Sequence, residues 1–268
     1  MAQHQRRPNE VRAQQNAGSG FKWILIGVAA LGALGIGYSI WSSRAGGAAT
    51  GPVSIEDVDP QAIAQQATPM RKGSAEATVE IVEFADFQCP GCAHFANNVG
   101  RPLRAAYVDS GRVRMTYYDY PIVSAHPHAF LAARAARCAG DQNLFWEMHD
   151  VLYARQQEWS LDRTPPVDRY TGYATSIGAN AQEFEDCLQS DRHADVVTAN
   201  ALLGEQLGVR STPTVFVNGR NVGDAWDDFA EMRRVIDQAL ALAPPAPPAD
   251  SAAASDTTAA EAAGASGR

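Results

Sequence analysis

The sequence predicts an α/β domain in which a β-α-β unit and a β-β-α unit flank a long helical block. Three observations carry this. Residues 79–84 (VEIVEF) and 112–118 (RVRMTYY) alternate as strands do, with a helix-period segment between them. Thr214 to Asn218 reads as another strand, closed by an Asn218-Gly219 hairpin turn and followed by an apolar stripe at Trp226, Phe229, Met232, Ile236 and Leu240. Between these units lie about eighty residues with helical spacing and little strand character.

The first helix starts at Cys89-Pro90-Gly91-Cys92 and carries Phe95, Val99, Leu103 and Tyr107 on one side before Gly111 stops it. In the central block, an alanine-rich helix spans His128 to Ala139. A second is marked by Leu144, Phe145, Met148 and Leu152, and a third lies around 167–177. Asn180 with Glu183 forms a capping pair for a fourth, and Asp191 to Leu207 forms a fifth, ended by Gly208.

The chain has 268 residues, 46% hydrophobic and 19% charged, enough for a real core and too apolar for a disordered protein. Lys+Arg 22 against Asp+Glu 30 gives a net charge of −8, which argues against a general nucleic-acid or anionic-membrane surface. The charge is unevenly placed. Residues 23–41 (WILIGVAALGALGIGYSIW) carry none and would span about 28 Å as a helix, the thickness of a bilayer's hydrocarbon. Trp23, Tyr38 and Trp41 stand near its ends, where amphipathic rings favour the interface. Arg6, Arg7, Arg12 and Lys22 precede the span, and only Arg44 closely follows it. The expectation is a signal anchor in the cytoplasmic membrane, with residues 1–22 inside and the remainder outside. A signal peptide cleaved near Ala45 or Ala49 stays open beside it. Residues 42–75, rich in small and polar residues, read as a flexible tether. Residues 76–242 form the folded domain, and 243–268, rich in Ala and Pro, form a disordered tail.

Two thiols three residues apart at a helix start have a specific chemistry. The helix N-terminus offers unpaired N–H groups and a partial positive charge, which stabilise a thiolate at Cys89. Pro90 suits the first turn, where its missing N–H costs nothing. Cys89 is expected to be exposed with a lowered pKa, and Cys92, one turn in, to be shielded and to resolve. A zinc site would need a second C-x-x-C or paired histidines at metal spacing, which the sequence lacks, and Ala93 stands where covalent haem attachment would need a histidine. A purely structural Cys89–Cys92 bridge would close almost no loop.

The segments EFADFQCPGC, HPHAFLAARAARCA, FWEMHDVLYARQQ and GVRSTPTVFVNG together resemble the DsbA-like branch of the thioredoxin fold, over residues 76–242. That resemblance implies a thioredoxin fold with an inserted helical domain at about 122–207, and thiol:disulfide exchange without a bound cofactor. It implies Cys89 as the attacking cysteine, Cys92 as the buried one, Glu83 as a buried acid beneath Cys92, and Thr212-Pro213 as a cis-proline loop facing the disulfide. Alternation sets Glu83 on the apolar side with Val79 and Ile81, although an edge-strand surface position stays open. The backbone at Thr212 would bind an extended substrate as an added strand. Substrates would be cysteine-containing exported proteins or peptides. Reoxidation would fall to a quinone-linked membrane oxidase of the DsbB or VKOR type. The Pro-Gly dipeptide departs from the Pro-His of the family's strongest oxidants, which implies milder oxidising power.

In an oxidising compartment two spare thiols beside an oxidase are a hazard, so Cys138 and Cys187 are expected to form a structural disulfide. Two free buried thiols and a second redox pair are the alternatives. His94 reads as a helix-surface residue, and His126 and His149 as capping or packing residues. A thiol reductase or isomerase using the same cysteines, and a tethered metal-relay module with Cys89 and Cys92 as soft ligands, remain the other functional readings.

Overall fold

A computed structural model describes residues 48–55 and 59–244. At its centre is a five-stranded sheet in the order β1-β3-β2-β4-β5, from β1 (Met70–Lys72), β2 (Val79–Ala85), β3 (Val113–Asp119), β4 (Thr214–Val217) and β5 (Arg220–Asn221). β2 pairs parallel with β3, placing Glu83 opposite Tyr117, and antiparallel with β4, placing Glu83 opposite Val215. β1 and β5 close the edges as antiparallel partners of β3 and β4.

The crossover from β2 to β3 begins as α2 (Pro90–His94), widens into π-helical turns at Phe95–Gly100, tightens as α3 (Arg101–Leu103) and widens again at Arg104–Val108. The sequence suggested one regular helix here. Pro102 explains the difference: it has no N–H to donate, and its ring crowds the carbonyl four residues back. The wider turn just before it accommodates the ring, with the Arg101 N–H reaching Ala96 O.

The inserted helices are α4 (Ala129–Gly140), α5 (Phe145–Ala154), α6 (Gln156–Trp159), α7 (Val167–Ser176), α8 (Ala181–Gln189) and α9 (Ala194–Gln206). Nearly every residue of α4 is buried, because alanine lets neighbouring helices approach on all sides. Asn180 caps α8, its side chain accepting from the N–H groups of Gln182 and Glu183. The fifth predicted helix starts later than Asp191, because His193 takes a left-handed φ of 67° at its N-cap. Asn218 and Gly219, both at positive φ, turn β4 into β5. A 3-10 turn at Gly223–Asp227 precedes α10 (Phe229–Leu242). Trp226 belongs to that turn and not to the last helix.

The tether expectation for 42–75 needs correction where the chain is described. Residues 60–66 form α1 (Pro60–Gln66), capped by Asp59, and Met70–Lys72 forms β1. Ile63 is buried, the Val53 N–H bonds Thr198 Oγ1 at 3.2 Å, and Arg134 Nη1 holds Ala49 O at 2.7 Å. Sparse apolar residues in a small-residue background hid this docking. The expected span at 23–41, the first 22 residues and most of the tail lie outside the described residues. Among the described residues no helix is long and apolar enough to cross a membrane.

Two apolar clusters lie against the sheet. Phe95, Val99 and Leu103 join α10 in one, with Val79, Ile81 and Met115 of the sheet, while Cys89 and Cys92 border the other, which meets the sheet at Ala85 and Tyr117 and is shared with the helical insert. The cysteine pair therefore sits at the seam between the sheet domain and its insertion.

Candidate active site

Cys89 is the N-cap of α2, with φ −72° and ψ 125°, so its sulfur faces the free N–H groups of the first turn. Cys92 lies one turn later and is fully buried. Both thiols are free. The Cys89 pKa is lowered to about 6, chiefly by the hydrogen bond from the Cys92 thiol and against the opposing effect of burial, with Thr212 and the backbone N–H groups of Cys92 and Gly91 adding to it. Cys92 is pushed the other way, first by burial and then by the demand on its proton from Cys89. The two sulfurs are thus prepared for different work.

Cys89 is less exposed than expected: only 8% of its surface is open. The Thr212-Pro213 peptide bond is cis, and the Cys89 thiol donates to Thr212 O at 3.3 Å. A Cβ added at Gly91 would lie 3.2 Å from Pro213 Cδ and 3.4 Å from the Trp226 ring, so these side chains wall the dipeptide between the cysteines.

Glu83 lies fully buried on β2, and neither carboxylate oxygen has a hydrogen-bond partner among the described residues. Burial raises its pKa to about 8, opposed by the charge of Arg104 and supported by that of Cys89. It also disfavours a thiolate at Cys92. Arg104 in turn grips Asp150 with Nη2 at 2.5 and 2.7 Å. His149 is buried among aromatic rings, donates toward Asp150 at 2.8 Å and is lowered to about 4 by that burial, so it is a neutral packing residue at pH 7.

Several residues that sequence reasoning missed hold the loop before Cys89. Asp86 is buried, and its carboxylate accepts from Gln88 N at 2.7 Å and Ile122 N at 2.8 Å and pairs with His126 Nδ1 at 2.8 Å. Gln156 Nε2 donates to Phe87 O and Cys89 O at 2.8 and 2.9 Å. No spacing rule pairs Asp86 with His126 or Gln156 with Cys89, because the partners are 40 and 67 residues apart. His94 sits on the surface, bonded to Asp227 O and Asn98.

Away from this site, Cys138 and Cys187 are joined, with sulfurs 1.99 Å apart and a sequence separation of 49. His193 lies beside them, within 4.8 Å ligand-atom spacing, but both sulfurs are already bonded to each other.

Residues 65–238 match a protein-family model described as Thioredoxin. The chain belongs to that family. Solved structures share its fold. BdbD from Bacillus subtilis superposes with a TM-score of 0.59 at 22% identity, covering 73% of this chain and 99% of that one. Wolbachia pipientis α-DsbA1 gives 0.58 at 18% identity, over 65% and 92%. By sequence, a probable disulfide bond formation protein D of Bacillus cereus is 27% identical over 65% of this chain and 79% of its own length. A Na(+)/H(+) antiporter NhaA 1 of Salinispora arenicola is 39% identical over 56% of this chain. This chain spans only 21% of that antiporter's length, so the similarity concerns one part of a much longer protein.

Proposed function

We propose that this thioredoxin-family protein is an extracytoplasmic thiol:disulfide oxidoreductase that forms disulfides in exported proteins through Cys89 and Cys92. The observation that carries the reading is the opposed setting of two thiols on one helical turn, the outer lowered to about 6 and the inner raised, above a buried acid. Stabilising the reduced form makes the Cys89–Cys92 disulfide a better oxidant.

In the oxidised enzyme, a substrate thiolate attacks Cys89 Sγ and the Cys89–Cys92 bond breaks. Cys92 leaves with the bonding electron pair and takes a proton, for which protonated Glu83 is the buried donor. The second substrate thiolate then attacks the substrate sulfur of the mixed disulfide and expels Cys89 as a thiolate. Two electrons have passed from substrate to enzyme, and one substrate disulfide has formed. Thr212 offers a backbone carbonyl beside Cys89 for an extended substrate strand. A quinone-linked membrane oxidase of the DsbB or VKOR type would return the enzyme to its disulfide form.

The uncharged stretch at 23–41 with its basic leading flank supports a membrane-anchored, outward-facing domain, and the Cys138–Cys187 bridge supports an oxidising compartment. Equilibration with glutathione decides the direction of the reaction. An oxidase has a potential well above that of the thioredoxins and converts a dithiol peptide to its disulfide. A potential near theirs would overturn the oxidase reading in favour of a reductase, a direction that Gly91 favours by leaving no imidazole between the cysteines.

A further inference from the structure

We infer that His126 is a positioning residue of the redox site: clamped by Asp86, its imidazolium supplies Cys89 with the positive charge that the Pro90-Gly91 dipeptide does not provide. The inference rests on Cys89 and Cys92 being the redox pair and adds a residue from a different part of the chain.

The geometry is that of a built site. The Asp86 side chain has no exposed surface, and its carboxylate is fixed by two backbone donors, Gln88 N and Ile122 N. His126 Nδ1 takes the remaining position at 2.8 Å. The ring is itself held by the backbone, since the His126 N–H bonds Ile122 O and His126 O accepts from Ala129 N. Asp86 also touches both cysteines through its own peptide groups: its carbonyl accepts the Cys89 N–H at 3.1 Å, and its N–H reaches Cys92 Sγ at 3.5 Å. One residue thus ties the imidazole to the two reacting sulfurs. The His126 side chain keeps 22% of its surface open, so it exchanges protons with solvent.

The groups facing this cluster agree in sign. The Asp86 hydrogen bond raises the His126 pKa against burial, and the charges of Asp86 and Cys89 raise it further. Deeper in, Cys92 is pushed toward its neutral thiol and Glu83 toward its neutral acid. Tyr117 and Tyr153, which face the same pair, and Tyr170, which faces Asp86, are all kept neutral by burial. His126 is thus a group on this side of Cys89 whose charged form both Asp86 and Cys89 favour, while the charge of Arg104 acts on Glu83.

Coupling of this kind is reciprocal. A Cys89 thiolate strengthens the hold of His126 on its proton, and a protonated His126 strengthens the thiolate. The thiolate exists only in the reduced enzyme. Reduction therefore takes up extra proton at His126 over the pH range in which the ring titrates, and the oxidising power falls more steeply with pH there.

The test uses the full chain in its reduced form. The Cys89 thiolate is followed by its absorbance at 240 nm, and the redox equilibrium is measured against glutathione, both across the range of about pH 5 to 8. His126→Gln keeps a hydrogen-bond donor for Asp86 and removes the charge. It should raise the Cys89 pKa and shift the equilibrium toward the disulfide, by about tenfold for each pKa unit, with the difference fading as pH rises past the titration of His126. His94→Gln, at the surface, should leave both curves in place. A His126→Gln titration that coincides with the parent, or a change that is constant across pH, would overturn the assignment. Failure of the parent protein to oxidise any dithiol peptide, with the thiolate titration still moved by His126→Gln, would reject the oxidase reading and leave the positioning role standing.

Discussion

Replacing Glu83 by glutamine should make the reduced protein more stable, and only at the higher end of the pH range. Glu83 is fully buried, and its pKa rises from 4.5 to about 8, with desolvation as the leading cause. That displacement corresponds to an upper value of about 5 kcal/mol against the carboxylate. The sign follows from proton linkage. Between pH 4.5 and about 8 the folded protein keeps a proton that the unfolded chain has released, so stability falls as pH rises through that window. The amide introduced by Glu83→Gln has the shape and polarity of the protonated acid but no proton to lose. The variant should match the parent at about pH 4 and exceed it by up to several kcal/mol above about pH 8. Urea unfolding of the reduced forms at a series of pH values measures this directly, since the other titrating groups are common to both proteins. A stability difference independent of pH would refute the argument, because it would mean that Glu83 ionises in the folded protein much as it does in water. The same variant should slow turnover at the step where Cys92 takes its proton.

Three other outcomes follow from the geometry. Iodoacetamide should alkylate Cys89 of the reduced protein with half-maximal rate at about pH 6 and leave Cys92 untouched, and Cys92→Ala should trap a mixed disulfide with substrate; mass spectrometry finding Cys92 alkylated first would reverse their roles. Replacing Cys138 and Cys187 together by Ser should lower stability by about 2–5 kcal/mol in denaturant unfolding, since the bridge spans 49 residues of chain; an unchanged midpoint would show that the bridge contributes nothing. Alkaline phosphatase fused after Leu242 should be active in cells, and a silent fusion would place the domain in the cytoplasm.

The sequence disclosed most where local rules and chemistry coincide. Strand alternation located β2 and β3, Asn-Gly located the hairpin, and the Cys-Pro-Gly-Cys run located a helix start carrying two free thiols. Alternation grouped Glu83 with Val79 and Ile81 but left a surface position open, and the structure buries it. What stayed hidden depends on contacts distant in sequence. Composition averaged over 42–75 masked α1 and β1, because a three-residue edge strand has too few side chains to show a period, and β1 exists only through its pairing with β3. Cys89 is met by Thr212, and the neighbouring Gly91 by Pro213 and Trp226, all more than a hundred residues away in the chain. The Asp86–His126 pair was invisible for the same reason, although Asp86 lies only three residues before Cys89.

The same distinction explains how one short segment can hold two thiols in opposite states. The leading cause of the lowered pKa at Cys89 is a neighbour in sequence, the thiol at Cys92, and the first-turn N–H groups of α2 add to it together with distant Thr212. Burial comes first in raising Cys92, and the apolar cluster around it is shared with the helical insert, while Cys89 and then Glu83 add to the rise. An isolated peptide with this motif would therefore keep much of the pull on the outer sulfur and lose the burial that leads the push on the inner. The inserted domain accordingly does more than widen a binding surface. It removes water from Cys92, so in the proposed reaction the electron pair returning to that sulfur would be met by a proton held inside the protein, for which buried Glu83, its pKa raised to about 8, is the proposed donor.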